Sequence, residues 1–382
     1  MLTALLVLAV QPALSEGREA RVEGEIRATP EGEKLVRVVS TGRFETTFTK
    51  RKGFGSTWFD LGRDPEKKRD LAPVLDENGF FWVKIGKPGT DGSWYANPAE
   101  EMTLLEPGPA RVRVRLRGAH MRYGNVDPKN AWKELRFDHV YTLYPDGSVY
   151  LSYALETEAP VPIHHFLVIT KSNGSWGPKG SGEARIAGEN GAEKPTSKSP
   201  TSFTLQWSDG PTWSTDILMV PQKGRFGASY WNEGYLDKDL RCSFDLGPLW
   251  PDKTIPAGKT RLDFLVRFAD DVNSAEAASL HAADYRSPDR LEATKGTAEG
   301  YDEAEGCYVL RASPEGVAFT IHGKATPRVN PSFKILGWPA SAPAVVTASR
   351  RPVQFARSEK DGMLVVQVPG VLREDTDIVI RP

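Results

Sequence analysis

The amino-acid sequence predicts an all-β protein that has a large antiparallel β-sandwich, one short helix after it and a small β-sandwich at the C-terminus. The 382 residues include 35 Gly and 29 Pro, which suit many strands joined by turns. A long hairpin with a recognisable turn occupies residues 135–155. Only residues 271–285 show an Ala-rich helical pattern. The chain is longer than one typical domain, so two domains are expected.

The hairpin register is predicted from its turn. A type I turn with Pro145 and Asp146 in the middle and Gly147 in the left-handed conformation pairs Tyr144 with Ser148. One face is then mostly apolar and carries Phe137, His139, Tyr141, Leu143, Val149, Leu151, Tyr153 and Leu155. The other carries Arg136, Asp138, Thr142, Tyr144, Tyr150, Ser152 and Glu156, with Arg136 opposite Glu156 as a candidate ion pair. A two-residue turn would mix the two faces, which excludes it.

Before the hairpin, short strands are predicted at 21–28, 35–41, 43–50 and 80–85. Residues 51–78, which include Trp58, are predicted to form one long connection, and such connections are more often functional than idle. Trp94 and Tyr95 are placed in a further loop.

Four arginines share one side of the strand predicted at 110–118. Val112, Val114 and Leu116 alternate there with Arg111, Arg113, Arg115 and Arg117. The favoured interpretation is a solvent-facing side whose charges are offset by Asp138 and Glu156. The alternative is a basic groove for a carboxylated or sulfated glycan, because arginine forks match such groups.

After the hairpin, residues 163–171 predict a strand buried on both faces, with His164 and His165 on opposite sides. Residues 172–200, which include Trp176, predict a loop. Further strands are predicted at 202–207, 212–220, 225–231, 240–246 and 260–268. The helix at 271–285 is capped by Asn273 or Ser274 and is followed by strands at 307–311, 317–321, 333–336, 344–348, 363–368 and 377–380.

The predicted organisation is a signal peptide at 1–15, a large sandwich at 16–270, a helical linker at 271–288 and a small sandwich at 289–382. The apolar N-terminus followed by small residues favours a secreted or periplasmic protein. No later run approaches the ~20 apolar residues of a membrane span. A formal net charge of −1 gives no general attraction to nucleic acid. Whether Cys242 and Cys307 pair is open, as is the oligomeric state.

Two clusters stand out as candidate sites. His120 is predicted to open a loop after the arginine strand, followed by Arg122 and Tyr123. The second cluster, after a later strand, consists of Tyr230, Trp231, Asn232 and Glu233. Trp58 and Trp176 are candidate platforms for sugar rings. No metal-ligand spacing or phosphate loop is present, so no cofactor is expected, although a structural or charge-neutralising calcium stays open.

Residues 109–118 and 137–155, with the Tyr144 to Tyr150 turn, resemble the antiparallel supersandwich of galactose-mutarotase-like carbohydrate-active proteins. Several polysaccharide lyases belong to that group. The resemblance covers roughly residues 18–270 and implies a large antiparallel β-supersandwich whose concave face receives a glycan. It also implies a polysaccharide partner. In such lyases a His or Tyr base removes the proton next to a uronate carboxylate, which Arg, Asn or a cation neutralises.

The chain offers candidates for each of these roles. The base is His120 or His164, the acid is Tyr123 or Tyr230, and the neutralising group is Arg122 or Asn232. The expected substrate contacts are Trp58, Trp176, Trp231 and Glu233. The leading hypothesis is a lyase that cleaves a uronic-acid polysaccharide by β-elimination. A hydrolase using Glu233 with Asp138 or Asp60, and a non-catalytic glycan-binding protein, are the alternatives.

Overall fold

The computed structural model describes residues 26–32, 35–40, 44–50, 53–60, 71–73, 81–90, 93–96, 99–122, 127–172, 183–187, 203–208, 214–221, 227–231, 240–245, 249–269, 274–339, 344–353, 355–360 and 362–382. Most of the described chain is extended, and α1 (Ser274–Arg286) is its one α-helix. The all-β prediction is therefore confirmed. No helix among the described residues is long and apolar enough to cross a membrane.

The first sheet contains five consecutive antiparallel strands of the described chain: β1 (Ile26–Glu31), β2 (Leu35–Ser40), β3 (Phe44–Thr49), β4 (Gly53–Asp60) and β5 (Leu71–Pro73). Its order follows the sequence, as in a meander. β4 and β5 lie inside residues 51–78, so the prediction of a single strandless connection there was wrong. Phe54, Trp58 and Phe59 belong to β4, in keeping with the preference of strands for aromatic residues.

A second, much larger sheet forms the body of the protein. Its described strands are β6 (Phe81–Gly86), β7 (Ser93–Tyr95), β8 (Glu101–Pro107), β9 (Val112–Arg122), β10 (Ala131–Leu143), β11 (Ser148–Thr157), β13 (Phe166–Ser172), β14 (Glu183–Ala187), β15 (Phe203–Ser208), β16 (Ser214–Pro221), β17 (Gly227–Trp231), β18 (Leu240–Asp245) and β20 (Gly258–Ala269). They run in the order β14-β15-β16-β20-β11-β10-β9-β7-β6-β13-β18-β17, and β8 pairs with β9. β12 (Val161–Pro162) and β19 (Thr254–Ile255) form a separate short pair. β8 and β14 were not predicted.

The central hairpin β10–β11 has the predicted register. Phe137 lies opposite Leu155, and the pairing continues to Leu143 opposite Val149. At the turn, Tyr144 N donates to Ser148 O over 2.9 Å and Gly147 N donates to Tyr144 O over 3.1 Å. Gly147 has a φ of 87°, the left-handed value that the turn requires. Local turn chemistry and alternation were therefore sufficient to predict this element.

The apolar face of the hairpin packs against the first sheet. Phe137, Tyr141 and Leu151 share one core cluster with Val38 and Phe48. The Phe48 and Tyr141 rings meet edge to face with centroids 5.1 Å apart. The two sheets thus form the layers of the predicted large sandwich, with the hydrophobic core between them.

The C-terminal part forms a small sandwich of two five-stranded sheets within the described residues. One has the order β21 (Glu292–Lys295), β24 (Val317–Ile321), β32 (Thr376–Arg381), β27 (Val345–Ala348) and β28 (Arg351–Pro352). The other has the order β22 (Thr297–Asp302), β23 (Cys307–Arg311), β26 (Ser332–Leu336), β30 (Met363–Gln367) and β29 (Ala356–Lys360). β25 (Arg328–Val329) pairs with β31 (Val371–Leu372). The exact domain boundaries stay predictions.

The opposite face of the hairpin is covered at its turn end by α1 and the small sandwich. Tyr144 and Tyr150 pack with Ala282 and Tyr285 of α1. Tyr144 Oη donates to the carbonyl of Glu305 over 2.8 Å. The Cys307 thiol beside this contact is buried and free, so no disulfide joins Cys307 to Cys242, and burial raises the pKa of Cys307 to about 12. The turn is therefore the docking point for the C-terminal unit.

Candidate functional site

A cleft of about 980 Å³ opens at the end of the large sheet that lies away from the hairpin turn. It is formed by the turn after β6, the start of β10, the β11–β12 connection and the start of β20. Its described lining consists of Lys87, Pro88, Trp132, Lys133, Glu134, Arg136, Glu156, Thr157, Glu158, Ala159, Pro160, Val161, Pro162, Gly258 and Lys259. This volume is at the upper end of the range for small-molecule sites, so several sugar rings fit within it.

A bulge in β10 supplies one wall of the cleft. Trp132 pairs with His120 of β9, but the next pair is Arg136 with Ala119. Lys133, Glu134 and Leu135 therefore have no counterpart on β9. Lys133 and Glu134 are exposed on the cleft side, whereas the Leu135 side chain is fully buried in the core. Bulges of this kind redirect side chains and are over-represented next to active sites.

His120 lies beneath this bulge in β9 and is fully buried, so the prediction that it opens a loop was wrong. Its Nδ1 lies 2.7 Å from the Leu135 carbonyl oxygen, and its Nε2 lies 2.6 Å from Tyr153 Oη. Burial lowers the pKa of His120 to about 4, and the bond to Leu135 only partly opposes that shift. A neutral ring with no exposed surface does not offer the accessible base that the sequence suggested.

A pair of tryptophans stands beside the bulge. The Trp94 and Trp132 rings meet edge to face with centroids 5.5 Å apart, and both side chains are buried. Trp94 lies in β7 and not in a loop as predicted. Lys87 Nζ lies 5.2 Å from the centre of the Trp132 ring and 6.0 Å from that of Trp94, within cation–π range. The Trp132 face is thus capped by a cation and is not an open sugar platform.

Three charged residues cross the cleft floor on neighbouring strands. The register places Arg136 opposite Glu156 and Glu156 opposite Lys259. Lys259 Nζ lies 3.1 Å from Glu156 Oε1. The Arg136 guanidinium instead binds Glu100 over 2.6 Å, so the predicted Arg136 to Glu156 ion pair is replaced by another partner. No carboxylate of the described chain lies within ion-pair distance of Lys133.

Three arginines of β9, Arg113, Arg115 and Arg117, have carboxylate partners and do not form a free basic groove. Arg115 Nε and Nη2 donate to the two oxygens of Asp138 over 2.8 and 2.6 Å. Arg117 lies 3.9 Å from both Asp138 and Glu156. These contacts confirm the predicted offset for Arg115 and Arg117, whereas Arg113 binds Glu106 over 3.0 Å and Glu305 over 3.1 Å. Arg111 is an exception to the predicted solvent face, because it is fully buried.

Asp138, a candidate for the hydrolase alternative, is held by these arginines. Burial opposes its ionisation, but the hydrogen bonds and charge of Arg115 outweigh burial and lower the pKa of Asp138. It therefore stays ionised and paired, unlike a general acid. Asp60 lies on β4 of the other sheet. Glu233 lies outside the described residues, so that pair stays a prediction.

His164 and His165 precede β13 and are not part of it, so the prediction of opposite sides of a buried strand was wrong. His164 is exposed, and its Nδ1 lies 3.2 Å from Nδ1 of His165. The pair contacts Gly86 through backbone hydrogen bonds, one residue before Lys87 of the cleft. His164 is therefore close in sequence to the cleft lining, because it follows the lining residue Pro162 by two positions.

The other predicted site residues do not gather around this cleft in the described structure. Arg122 ends β9 and is exposed. Tyr230 and Trp231 lie on β17, five strands from β9 in the sheet order, which is about 24 Å along a flat sheet. Trp58 lies on β4. Residues that lie outside the described chain are Tyr123, Trp176, Asn232 and Glu233.

The cleft residues that the sequence did not single out are Lys87, Trp132, Lys133, Glu134, Glu158 and Lys259. One signal was available. Leu135 and Phe137 keep the hairpin alternation, but Trp132 is apolar and breaks it. Such a break indicates a bulge, although it does not reveal what the bulge faces. Within the described chain no cluster of three or more His, Cys, Asp or Glu side chains could hold a metal ion.

No protein-family model matches the chain, and no curated protein does. Among solved structures it is similar to a GalM/aldose epimerase homologue from C. elegans, with 7% identity over 65% of this chain and 99% of that one and a TM-score of 0.32. It is similar to galactose 1-epimerase from Lactobacillus acidophilus NCFM, with 9% identity over 64% of this chain and 97% of that one and a TM-score of 0.33. It is also similar to a heparan sulfate lyase from Pedobacter heparinus, with 9% identity over 77% of this chain and 40% of that one and a TM-score of 0.34.

This chain spans about two fifths of the length of that lyase. The chain is similar to galactose-mutarotase-like proteins and to a polysaccharide lyase, which is the resemblance predicted from its sequence.

Proposed function

We propose that this chain is a carbohydrate-active protein that receives an acidic polysaccharide in the cleft and cleaves it by β-elimination. The observation that supports the proposal most directly is the composition of the cleft. An apolar wall at Ala159, Pro160 and Val161 lies with charged residues on the bulge and on β20. Sugar rings offer apolar faces and hydroxyl edges, which match such a mixed surface.

Lys133 is the cation proposed to meet a uronate carboxylate. It is exposed in the cleft and has no carboxylate partner in the described part of the chain. Lys259 and Arg136 are already paired with Glu156 and Glu100, so they add positive potential but have less free bonding capacity. A cation beside the carboxylate stabilises the charge that develops when the adjacent proton leaves.

The proposed reaction breaks the C5–H bond of the uronate and the C4–O4 bond, and it forms the C4=C5 double bond. A base takes the C5 proton, and an acid gives a proton to O4, which leaves as a hydroxyl. Two bases were predicted, His120 and His164. His164 is the proposed base, because its side chain is exposed whereas His120 is fully buried. The acid stays a prediction, because Tyr123 lies outside the described residues and Tyr230 lies on β17, away from the described cleft lining.

The test is an ultraviolet absorbance assay for unsaturated uronate. The protein is incubated with alginate, pectin, glucuronan and a glycosaminoglycan, with and without calcium. We expect absorbance to rise with at least one polymer, and we expect His164→Ala to lower the rate by 100-fold or more, within the usual contribution of a general base. His322→Ala, on the small sandwich, serves as the control and should keep the wild-type rate. Silence across the whole panel would exclude the lyase.

A second candidate is glycan binding without chemistry. The observation that favours it is that no histidine or tyrosine is among the described residues that line the cleft. Binding of a polymer to the immobilised protein, with neither unsaturation nor new reducing ends, would select this function. New reducing ends without unsaturation would select a hydrolase, for which Glu134, Glu156 and Glu158 are carboxylates in the cleft.

A further inference from the structure

His120 is a buried polar residue to which the proposed reaction assigns no role. It lies in the core between the two sheets, with Phe137 and Tyr153 rings at centroid distances of 5.4 and 6.3 Å. Both of its nitrogens nevertheless have partners, and one partner belongs to the bulge that forms the cleft wall. The residue therefore joins the core to the cleft.

The tautomer follows from the partners. The Leu135 carbonyl oxygen can only accept a hydrogen bond, so Nδ1 of His120 carries the proton and donates it over 2.7 Å. Nε2 is then an acceptor, and the Tyr153 hydroxyl donates to it over 2.6 Å. The order is Tyr153 to His120 to Leu135, and each donor and acceptor is used once.

The bulge has no strand partner of its own. Residues 133–135 are extra relative to β9, so the regular ladder is interrupted between Trp132 and Arg136. In the described structure the middle of the segment is held by the buried Leu135 side chain and by the hydrogen bond from His120 to the Leu135 carbonyl. The side chain fixes the depth of Leu135 in the core. The bond to its carbonyl fixes the orientation of the peptide group between Leu135 and Arg136.

We infer that His120 is a positioning residue, which through the Leu135 carbonyl holds the bulge in the conformation that presents Lys133 and Glu134 to the cleft. The consequence for glycan binding rests on the proposed function. The consequence for the backbone does not, because bulge order can be measured without any ligand. This role also accounts for a buried histidine that is neutral and has no access to substrate.

Backbone ¹⁵N relaxation at Lys133 and Glu134 in the full chain tests the inference. In the wild type we expect order parameters near 0.85, typical of rigid backbone, and in His120→Leu we expect values below about 0.6. His120→Asn should restore order, because the Asn amide nitrogen occupies nearly the place of Nδ1 and can donate to Leu135. Tyr153→Phe, which keeps the Nδ1 bond, should cause a smaller loss than His120→Leu. Unchanged order parameters in a folded His120→Leu protein would overturn the inference.

A paired comparison covers the case in which His120→Leu does not fold. His120→Gln places its amide near Nε2, so it can reach Tyr153 but not Leu135. We expect His120→Gln to leave the bulge loose and His120→Asn to keep it ordered, and the reverse result would contradict the role assigned to the bond between Nδ1 and the Leu135 carbonyl. Affinity for the polymer panel is measured on the same proteins, with a loss of about tenfold expected for the loose variants. If the bulge loosens as expected but no polymer binds the wild type, the proposed function fails and the positioning role stands.

Discussion

At the scale of single residues, a cluster of buried ion pairs around Arg111 and Glu305 joins the large sandwich to the C-terminal unit. Arg111 has no exposed side-chain surface, and its guanidinium binds Glu106 over 2.7 and 2.9 Å and Glu305 over 2.7 Å. Glu305 also binds Arg113 and Lys334, over 3.1 and 2.8 Å. Removing one member of such a cluster leaves its partners charged and without compensation, which costs more than the pair itself contributes.

Arg111→Ala is therefore expected to lower the free energy of unfolding by about 3–5 kcal/mol. Arg136→Ala is the matched control, because Arg136 also pairs with a carboxylate but is 43% exposed on its side chain. Arg136→Ala should lower the free energy of unfolding by less than about 1 kcal/mol. Denaturant titration of both variants provides the measurement. Equal losses would show that burial does not govern these ion pairs.

The pKa of Glu305 connects this cluster to pH. Burial opposes its ionisation, but Arg111, Arg113 and Lys334 together lower the pKa from 4.5 to about 2. A depressed carboxylate pKa stabilises the folded state above the unfolded value, and this contribution is lost as pH falls from about 4.5 toward 2. The contribution is about 3 kcal/mol at neutral pH. Glu305→Gln should flatten the fall in stability between pH 5 and pH 3. Parallel pH curves for the two proteins would disprove the assignment.

At the scale of elements, the hairpin turn is the surface on which the C-terminal unit docks. Gly306 has a φ of 62°, and a Cβ placed there would overlap the ring of Tyr150. Asp146 at the turn accepts a 2.9 Å hydrogen bond from Asn330 Nδ2. The same turn that was readable from sequence therefore also carries the contact between the two units.

Gly306→Ala is expected to destabilise the protein through a clash as well as through backbone strain. Gly337→Ala isolates the strain, because Gly337 has a φ of 70° and no atom lies within 4 Å of the position that a Cβ would occupy there. We expect Gly337→Ala to cost about 1–2 kcal/mol, the usual penalty for a left-handed alanine, and Gly306→Ala to cost clearly more. Calorimetry of the two variants gives the comparison. Similar melting temperatures would mean that the Tyr150 contact accommodates a methyl group.

The elements also show where sequence reasoning succeeds and where it stops. The register of β10 and β11 follows from one turn and a period of two, both of which are local. The bulge at 133–135 depends on how β10 meets β9, and no local pattern shows what faces it. The strand alternation placed Arg111 on a solvent face. That prediction missed its burial, because its partner Glu305 is 194 residues away in the chain. The prediction that His120 opens a loop failed for the same reason, since the residues that contact it, Leu135, Phe137 and Tyr153, belong to the neighbouring hairpin.

At the scale of the whole molecule, the large sandwich positions a cleft at one end and docks the small sandwich at the other. The hairpin runs between them, with the Arg136, Glu156 and Lys259 row at the cleft and the Tyr144 and Tyr150 pair at the C-terminal unit. The charged face between these ends is internally neutralised by Asp138 and its arginines. The cleft therefore offers a lysine, Lys133, that has no carboxylate partner in the described part of the chain.

The most direct test is isothermal titration of the full chain with the four acidic polysaccharides, at low and at physiological salt. For at least one polymer we expect binding that weakens about tenfold in Lys133→Glu, equal to about 1.4 kcal/mol. Lys129→Glu is the control, since Lys129 is exposed on the turn before β10 and does not line the cleft, and its affinity should stay within about twofold of wild type after salt screening. No binding by any polymer, or equal losses in the two variants, would contradict the assignment of the cleft as the glycan site.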